Sequence, residues 1–239
     1  NSATKGWFVS TTGTDTNTGA TWATAYRTIT NGIARATTAG DEVFVAAGTY
    51  NTAVLIGIAS GIRVVGVGGP SSTIVKRTGG GARIFNLNHA NAVLEGVTIR
   101  DATVGGVYLQ QGTITNCYII NNSAGQVKGG GIWVEGGTVV GCVISNNWQT
   151  DQTWGPGGGV YLQAGNVVKC RIVNNTIGGG GLGGYGVGAG AGAIVRGGVL
   201  ENCLIFGNKA TYTADGNGDG AGVYQTGGIV RNCTIASNQ

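Results

Sequence analysis

The ten residues TITNCYIINN (113–122) decide the fold, because similar segments return four more times along the chain. Aligned on cysteine, the later copies are TVVGCVISNN (138–147), NVVKCRIVNN (166–175), VLENCLIFGN (199–208) and IVRNCTIASN (229–238). An earlier segment, VLEGVTIRDA, fits the same frame with Val97 in place of cysteine. Repeats at intervals of about 20 to 50 residues are typical of solenoids, in which each repeat forms one coil.

Each copy has an isoleucine two residues after the cysteine and an asparagine five residues after it. Side chains alternate along a strand, so the cysteine and isoleucine share one face, which we predict to be the interior. Stacked coils would align the asparagine amides into a hydrogen-bonded ladder, as in other stacked-strand structures. The predicted structural ladders are Cys117, Cys142, Cys170, Cys203 and Cys233, and Asn122, Asn147, Asn175, Asn208 and Asn238.

A second strand precedes each copy and is entered through glycine, as in GGVYL, GGIWV, GGVYL, GAIV and GVYQ. Two glycine columns bound it, and a bend that requires positive φ would explain them. They are Gly106, Gly131, Gly159, Gly192 and Gly222, and Gly112, Gly137, Gly165, Gly198 and Gly228. We therefore predict that each coil is a strand, a glycine bend, a strand, an asparagine bend and a variable loop.

The predicted fold is all-β, a single right-handed parallel β-helix over residues 1–239 with a short N-terminal capping helix. Residues 28–39 place Ile29, Ile33 and Ala36 at helical spacing before Gly40, and such a helix would cover the exposed sheet end. We assign 1–41 to the cap and entry segment, 42–104 to irregular early coils and 105–239 to regular coils. No closing segment follows the last coil, so we expect self-association there or continuation into a larger protein.

Composition excludes several classes of protein. Glycine supplies 49 residues without a three-residue period, which excludes collagen, and alternating Val, Ile and Leu exclude simple disorder. No apolar run approaches the roughly 18 residues of a membrane span. The net charge of +4 is spread along the chain without a basic patch, so we expect no nucleic-acid partner.

Two families resemble this sequence. Gly130-Gly131-Ile132 and Gly158-Gly159-Val160, with the Ile-x-x-Asn of each coil, resemble the repeats of polymorphic outer membrane proteins, although Ile replaces their Phe. The stretch from TWATAYRTIT to GDEVFVAAGTY resembles the entry segment of pectate-lyase-like β-helix proteins. Both resemblances imply a right-handed parallel β-helix located outside the cell or at its surface. They leave function open, because this fold serves lyases, adhesins and tail spikes alike.

The cysteines are predicted to be free, buried thiols. Their number is odd, and stacked neighbours about 4.8 Å apart with parallel Cβ vectors do not match disulfide geometry. A linear column also cannot supply the tetrahedral ligands of a zinc site. Free cysteines of this kind behave as small apolar side chains.

Two groups of residues are candidate ligand sites. The first is a column that alternation places outside the core, Tyr108, Trp133, Tyr161, Ile194 and Tyr224, whose aromatic members could bind glycan rings. Its alternative is a stripe covered by the protein's own loops or by a neighbouring subunit. The second is Asp215, Asn217 and Asp219 before Gly220, which form D-x-N-x-D-G, the opening of a calcium loop. A plain Asp-Gly turn is the alternative, since Thr226 stands where the loop's glutamate is expected.

Two functions follow from these patterns. The first is a non-catalytic extracellular structural or adhesin-like β-helix, which binds glycans or stacks end to end in a filament. The second is a lyase or hydrolase of an acidic polysaccharide, suggested by the entry segment and the calcium motif. Such enzymes need converging carboxylates. The ten acidic residues do not line up in adjacent coils of the predicted register, which favours the first function.

Overall fold

The computed structural model describes residues 4–125, 127–150, 157–178, 190–211 and 220–239. In these residues every strand pairs in parallel with the equivalent strand of the next coil, which gives four stacked sheets. The fold is therefore the predicted all-β parallel β-helix. No helix in the described ranges is long and apolar enough to cross a membrane.

Three long sheets form the walls of the solenoid. Sheet A contains β1 (Gly6–Val9), β2 (Glu42–Val45), β5 (Arg63–Gly66), β8 (Val93–Glu95), β11 (Thr113–Thr115), β15 (Thr138–Val140), β19 (Asn166–Val168), β23 (Val199–Glu201) and β27 (Ile229–Arg231). Sheet B contains β3 (Gly48–Thr52), β6 (Thr73–Arg77), β9 (Thr98–Arg100), β12 (Tyr118–Ile120), β16 (Val143–Ser145), β20 (Arg171–Val173), β24 (Leu204–Phe206) and β28 (Thr234–Ala236). Sheet C contains β4 (Ile56–Ile58), β7 (Phe85–Leu87), β10 (Val107–Leu109), β14 (Ile132–Val134), β18 (Val160–Leu162), β22 (Ala193–Val195) and β26 (Val223–Gln225).

The prediction of two strands per coil was wrong. The segment 113–122 is two strands in different sheets, β11 and β12, and Cys117 lies in the bend between them. Asn116 before it has φ of 48°, in the left-handed region that asparagine and glycine tolerate best. Cys117 and Ile119 still both point into the core, where each is fully buried.

A fourth, short sheet occupies the position after each of the first four asparagines, where the sequence predicted variable loops. Sheet D contains β13 (Ser123–Ala124), β17 (Trp148–Gln149), β21 (Thr176–Gly178) and β25 (Lys209–Thr211). Alternation is not detectable in strands of two or three residues. The stacking of neighbouring coils therefore decides this sheet.

The asparagines form a buried ladder in the bend that follows sheet B. The Asn147 Oδ1 accepts from the Asn122 backbone N–H at 3.0 Å and from Asn122 Nδ2 at 3.1 Å. The Asn147 Nδ2 donates to Ile119 O at 2.9 Å and to Asn175 Oδ1 at 3.0 Å. The same pattern continues through Asn208 to Asn238, so the amides link successive coils along the solenoid.

One of the two glycine columns has a different cause from the one predicted. Gly112 and its equivalents do adopt positive φ. Gly131, in the other column, does not, but a Cβ there would lie 2.6 Å from Gly159 O and 2.8 Å from Asn147 Nδ2. That column therefore requires glycine because the asparagine ladder packs against it.

The single predicted helix is present as α1 (Ile29–Arg35), with a 3-10 turn at Trp22–Thr24 before it. Helix α1 packs on β1, β2 and β4, at the end of the solenoid. Asp41 ties this region together, because its carboxylate accepts from the backbone N–H groups of Lys5 at 2.8 Å and Thr38 at 3.1 Å. The Trp7 indole N–H lies 3.5 Å from the same carboxylate.

Candidate functional site

The candidate site is a column of side chains that point outward from sheet C. Tyr108, Trp133, Tyr161, Ile194 and Tyr224 occupy equivalent positions of adjacent strands, in register from β10 to β26. They point away from the apolar core because their neighbours in each strand point into it, and adjacent strands lie about 4.8 Å apart. This spacing is close enough for planar side chains to stack.

Tyr108 and Trp133 form a stacked pair at the partly exposed end of this column. Their ring centroids are 4.3 Å apart and their planes are inclined by 20°. Trp133 meets Tyr161 edge to face, with centroids 6.5 Å apart. We call the surface made by Tyr108, Trp133 and their polar neighbours the aromatic platform.

Charged side chains surround the aromatic platform. The Tyr108 hydroxyl donates to a Glu135 carboxylate oxygen, and burial together with this bond raises the pKa of Tyr108 to about 12. The Lys128 Nζ lies 5.1 Å from the ring centroid of Trp133 and 4.9 Å from that of Tyr161. These are distances at which a cation is attracted to the face of an aromatic ring.

Arg83 contacts both the aromatic platform and the loop that carries Lys128. Its guanidinium donates to the backbone carbonyls of Val107 at 3.0 Å, Gly129 at 3.3 Å and Lys128, and its Cζ lies 5.9 Å from the Trp133 ring centroid. Burial lowers the pKa of Arg83 to about 10, so the side chain remains a cation at neutral pH. The loop that carries Lys128 is thus fixed to the platform by a buried charge.

The outward side chains of sheet C are shorter in the coils that precede Tyr108. In the two preceding coils the equivalent positions are Asn86 and Gly57, and a Cβ at Gly57 would meet nothing within 4 Å. The aromatic platform therefore ends in a step, beyond which the outward side chains of sheet C are short or absent. Asn86 Oδ1 and Trp133 Nε1 are buried atoms that lack a hydrogen-bond partner in the described part of the chain.

The column points out of the core as expected, but its middle is covered, which matches the alternative of a covered stripe. Tyr161 is only 4% exposed and Ile194 is fully buried, so they cannot belong to an open surface. Tyr224 lies beyond them and is partly exposed beneath Arg196, whose Cζ is 5.8 Å from the ring centroid. The structure thus brings Tyr108 and Trp133 together and separates them from Tyr224.

The predicted calcium motif, Asp215, Asn217 and Asp219, lies outside the described residues and stays a prediction. Within the described ranges, no three His, Cys, Asp or Glu side chains are grouped so that they could hold a metal ion. The cysteines there are free thiols, buried except for the partly buried Cys233.

An ion-pair cluster on sheet A was not predicted from the sequence. Arg63 contacts Glu42 at 2.5 Å and Glu95 at 2.8 Å, across three adjacent coils. The hydrogen bonds to Glu95 and then Glu42 raise the pKa of Arg63, so its guanidinium is held as a cation. Because the early coils lack the cysteine and asparagine markers, their register could not be read from the sequence, and register alone brings these residues together.

The parallel sheets and stacked coils define the protein as a β-helix solenoid. A family model described as a right handed beta helix region matches residues 60–239, and the chain belongs to this right-handed β-helix family. A search of curated proteins found no match.

Several solved structures are similar to the chain. The pectate lyase Pel9A aligns over 98% of this chain and 79% of its own, with a TM-score of 0.61 and 15% identity. A pectin methylesterase from Aspergillus niger aligns over 100% of this chain and 93% of its own, with a TM-score of 0.49 and 13% identity. A pectin methylesterase from carrot covers 96% and 83%, with a TM-score of 0.48 and 12% identity. At this identity the likeness to Pel9A concerns the fold alone.

Proposed function

We propose that the protein is a non-catalytic, adhesin-like β-helix that binds glycans outside the cell or at its surface, through the aromatic platform. The observation that carries this proposal is the stacked pair of Tyr108 and Trp133, with ring centroids 4.3 Å apart, at the edge of a step in sheet C. Sugar rings present an apolar C–H face and a rim of hydroxyl groups. A flat aromatic surface flanked by polar groups complements both.

The polar groups around the platform support the same class of ligand. Glu135 is an acceptor for sugar hydroxyls, and Lys128 is a donor.

The ion pairs that Glu42 and Glu95 form favour a binding function over the alternative lyase or hydrolase. Glu42 and Glu95 flank Arg63, but both carboxylates are engaged by that one guanidinium. Arg63 is also a poor candidate for the proton acceptor of a lyase, because the two carboxylates raise the pKa of its guanidinium. The likeness to a pectate lyase does not outweigh this, because it concerns the fold.

The test is binding and turnover on the same polysaccharides. Affinity electrophoresis through gels that contain dextran, alginate or polygalacturonate measures retention of the wild type and of Tyr108→Ala and Trp133→Ala. Tyr118→Ala is the matched control, because Tyr118 is an exposed tyrosine of the same coil that points outward from sheet B. We expect retention by at least one polymer, an affinity about tenfold lower in each platform variant, equivalent to about 1.4 kcal/mol, and no change in the control.

Two results would contradict the proposal. Equal retention of all four proteins would show that the platform is not the binding surface. Release of unsaturated oligosaccharides, followed by ultraviolet absorbance with and without calcium, would show that the protein is a lyase and not a binding module.

A further inference from the structure

A cavity of about 420 Å³ lies at the N-terminal end of the solenoid, between the start of α1 and strand β3. Helix α1 packs on β1, β2 and β4, and the cavity opens along β3, the outermost strand of sheet B. Its volume falls within the range of about 300 to 1,000 Å³ that small-molecule sites occupy. The cavity opens along sheet B, and none of its lining residues belongs to the aromatic platform.

The floor of the cavity is apolar and its rim is polar. The floor lies over the first layers of the core, and the exposed side chains of Ala53 and Val54 supply its apolar surface. The threonines Thr30 and Thr49 line the rim together with other hydroxyl and amide side chains. Such a site can contact the C–H face of a small ring from below and its hydroxyl groups from the sides.

The backbone of β3 adds donors and acceptors to the rim. The Gly48 N–H donates to Ser72 O and the Thr78 N–H donates to Thr52 O, so residues 48, 50 and 52 direct their peptide groups toward β6. In a parallel pair, alternate residues use the same neighbour. Thr49 and Asn51 therefore direct their N–H and C=O groups toward the other side, where the cavity lies.

Arg27 supplies the one cationic side chain of the rim. It is exposed, and none of the ion pairs formed within the described ranges involves it. The nearby acidic group is Asp15, whose Oδ1 accepts from the backbone N–H groups of Arg27 and Thr28, each at 2.9 Å, and from the Thr28 hydroxyl at 3.1 Å. The Arg27 guanidinium is thus available for a ligand anion, while Asp15 holds the backbone of Arg27.

We propose that this cavity is a second binding site, which takes a single sugar residue that carries a carboxylate. The apolar floor contacts the ring, the threonine hydroxyls and the free edge of β3 pair with the sugar hydroxyls, and Arg27 pairs with the carboxylate. An arginine fork matches a carboxylate better than other side chains do, because it forms two parallel hydrogen bonds. The site does not depend on the aromatic platform.

Isothermal titration calorimetry with D-glucuronate and D-glucose tests this site on the whole chain. We expect D-glucuronate to bind about tenfold more tightly than D-glucose, because only the acid engages Arg27. Arg27→Gln should abolish that preference. Arg35→Gln is the matched control, because it removes an exposed arginine at the other end of α1, and it should leave the preference unchanged.

A second variant and a cross-check complete the experiment. Thr49→Trp places a bulky side chain at the rim on an exposed strand position and should block both sugars, while the circular dichroism melting curve shows that the chain is folded. Tyr108→Ala should bind D-glucuronate like the wild type, so failure of the aromatic platform and failure of the cavity give different results. The proposal is overturned if neither sugar binds, if D-glucose binds as tightly as D-glucuronate, or if Arg27→Gln keeps the preference.

Discussion

Removing one asparagine from the buried ladder should destabilise the solenoid far more than removing an exposed one. Asn147 is fully buried, and Asn147→Ala deletes four side-chain hydrogen bonds. The bonds from the backbone N–H and Nδ2 of Asn122 lose their acceptor. The bonds to Ile119 O and to Asn175 Oδ1 lose their donor.

The expected cost follows from these contacts. A buried hydrogen bond contributes about 1 kcal/mol net, and a buried group left unpaired costs about 1 to 3 kcal/mol. The Asn122 Nδ2 keeps its bonds to Ile99 O and Ile120 O, which limits the loss. We expect Asn147→Ala to lower the free energy of unfolding by about 3 to 5 kcal/mol, whereas Asn166→Ala, at an exposed strand position, should change it by about 0.5 kcal/mol or less.

Asn147→Asp separates hydrogen bonding from packing at nearly constant volume. The new carboxyl group faces two acceptors, Ile119 O and Asn175 Oδ1, so burial and these neighbours disfavour its ionised form. A carboxyl pKa that is raised in the folded state makes the variant gain stability relative to the wild type as the pH falls.

Urea unfolding followed by circular dichroism at neutral pH and at about pH 4 measures these differences. A loss in Asn147→Ala as small as that in Asn166→Ala would refute the ladder's role in stability. An Asn147→Asp variant with no pH-dependent recovery would refute the proposed orientation of the amide.

Three other outcomes are expected. Although burial opposes it, the hydrogen bonds from Lys5, Thr38 and Trp7 lower the pKa of Asp41. The ionised carboxylate should therefore stabilise the cap above about pH 4, and this stabilisation should be lost as the pH falls through the folded-state pKa. Asp41→Asn should remove the pH dependence and lower the free energy of unfolding by about 1 to 3 kcal/mol, measured by urea unfolding across pH. Gly131→Ala should lower the melting temperature because its Cβ would meet Asn147, whereas Gly125→Ala, whose Cβ would meet no atom of the described residues within 4 Å, should not. Alkylation with iodoacetamide and peptide mass spectrometry should label Cys233 first in the folded protein and the other thiols only after denaturation, and equal labelling of all five would contradict their burial.

The coil repeat and the inner face of the later coils were predictable from local patterns. A column of identical residues at each turn, such as Ile119 and Ile144, identifies the interior without any knowledge of the chain path, because alternation and stacking both require it. The bend at Cys117 was also detectable, since Ile114 and Cys117 are three residues apart and cannot both face inward along one uninterrupted strand.

The early coils and the outer surface were not predictable in the same way. Glu42, Arg63 and Glu95 lie in three coils of unequal length, and their contact depends on a register that no repeated residue marks. Burial of Tyr161 depends on what covers the outer face of sheet C, and the cavity beside β3 depends on where α1 lies across the end of the solenoid.

The sequence by itself determined the scaffold, because the cysteine, isoleucine and asparagine columns repeat the same short-range requirements in every coil. Only the tertiary structure decided which outward side chains meet. Tyr108 and Trp133 are separated along the chain by a full coil, and they stack because their strands are hydrogen-bonded neighbours. Outward positions are not constrained by a shared core, so their chemistry depends on the contacts between coils.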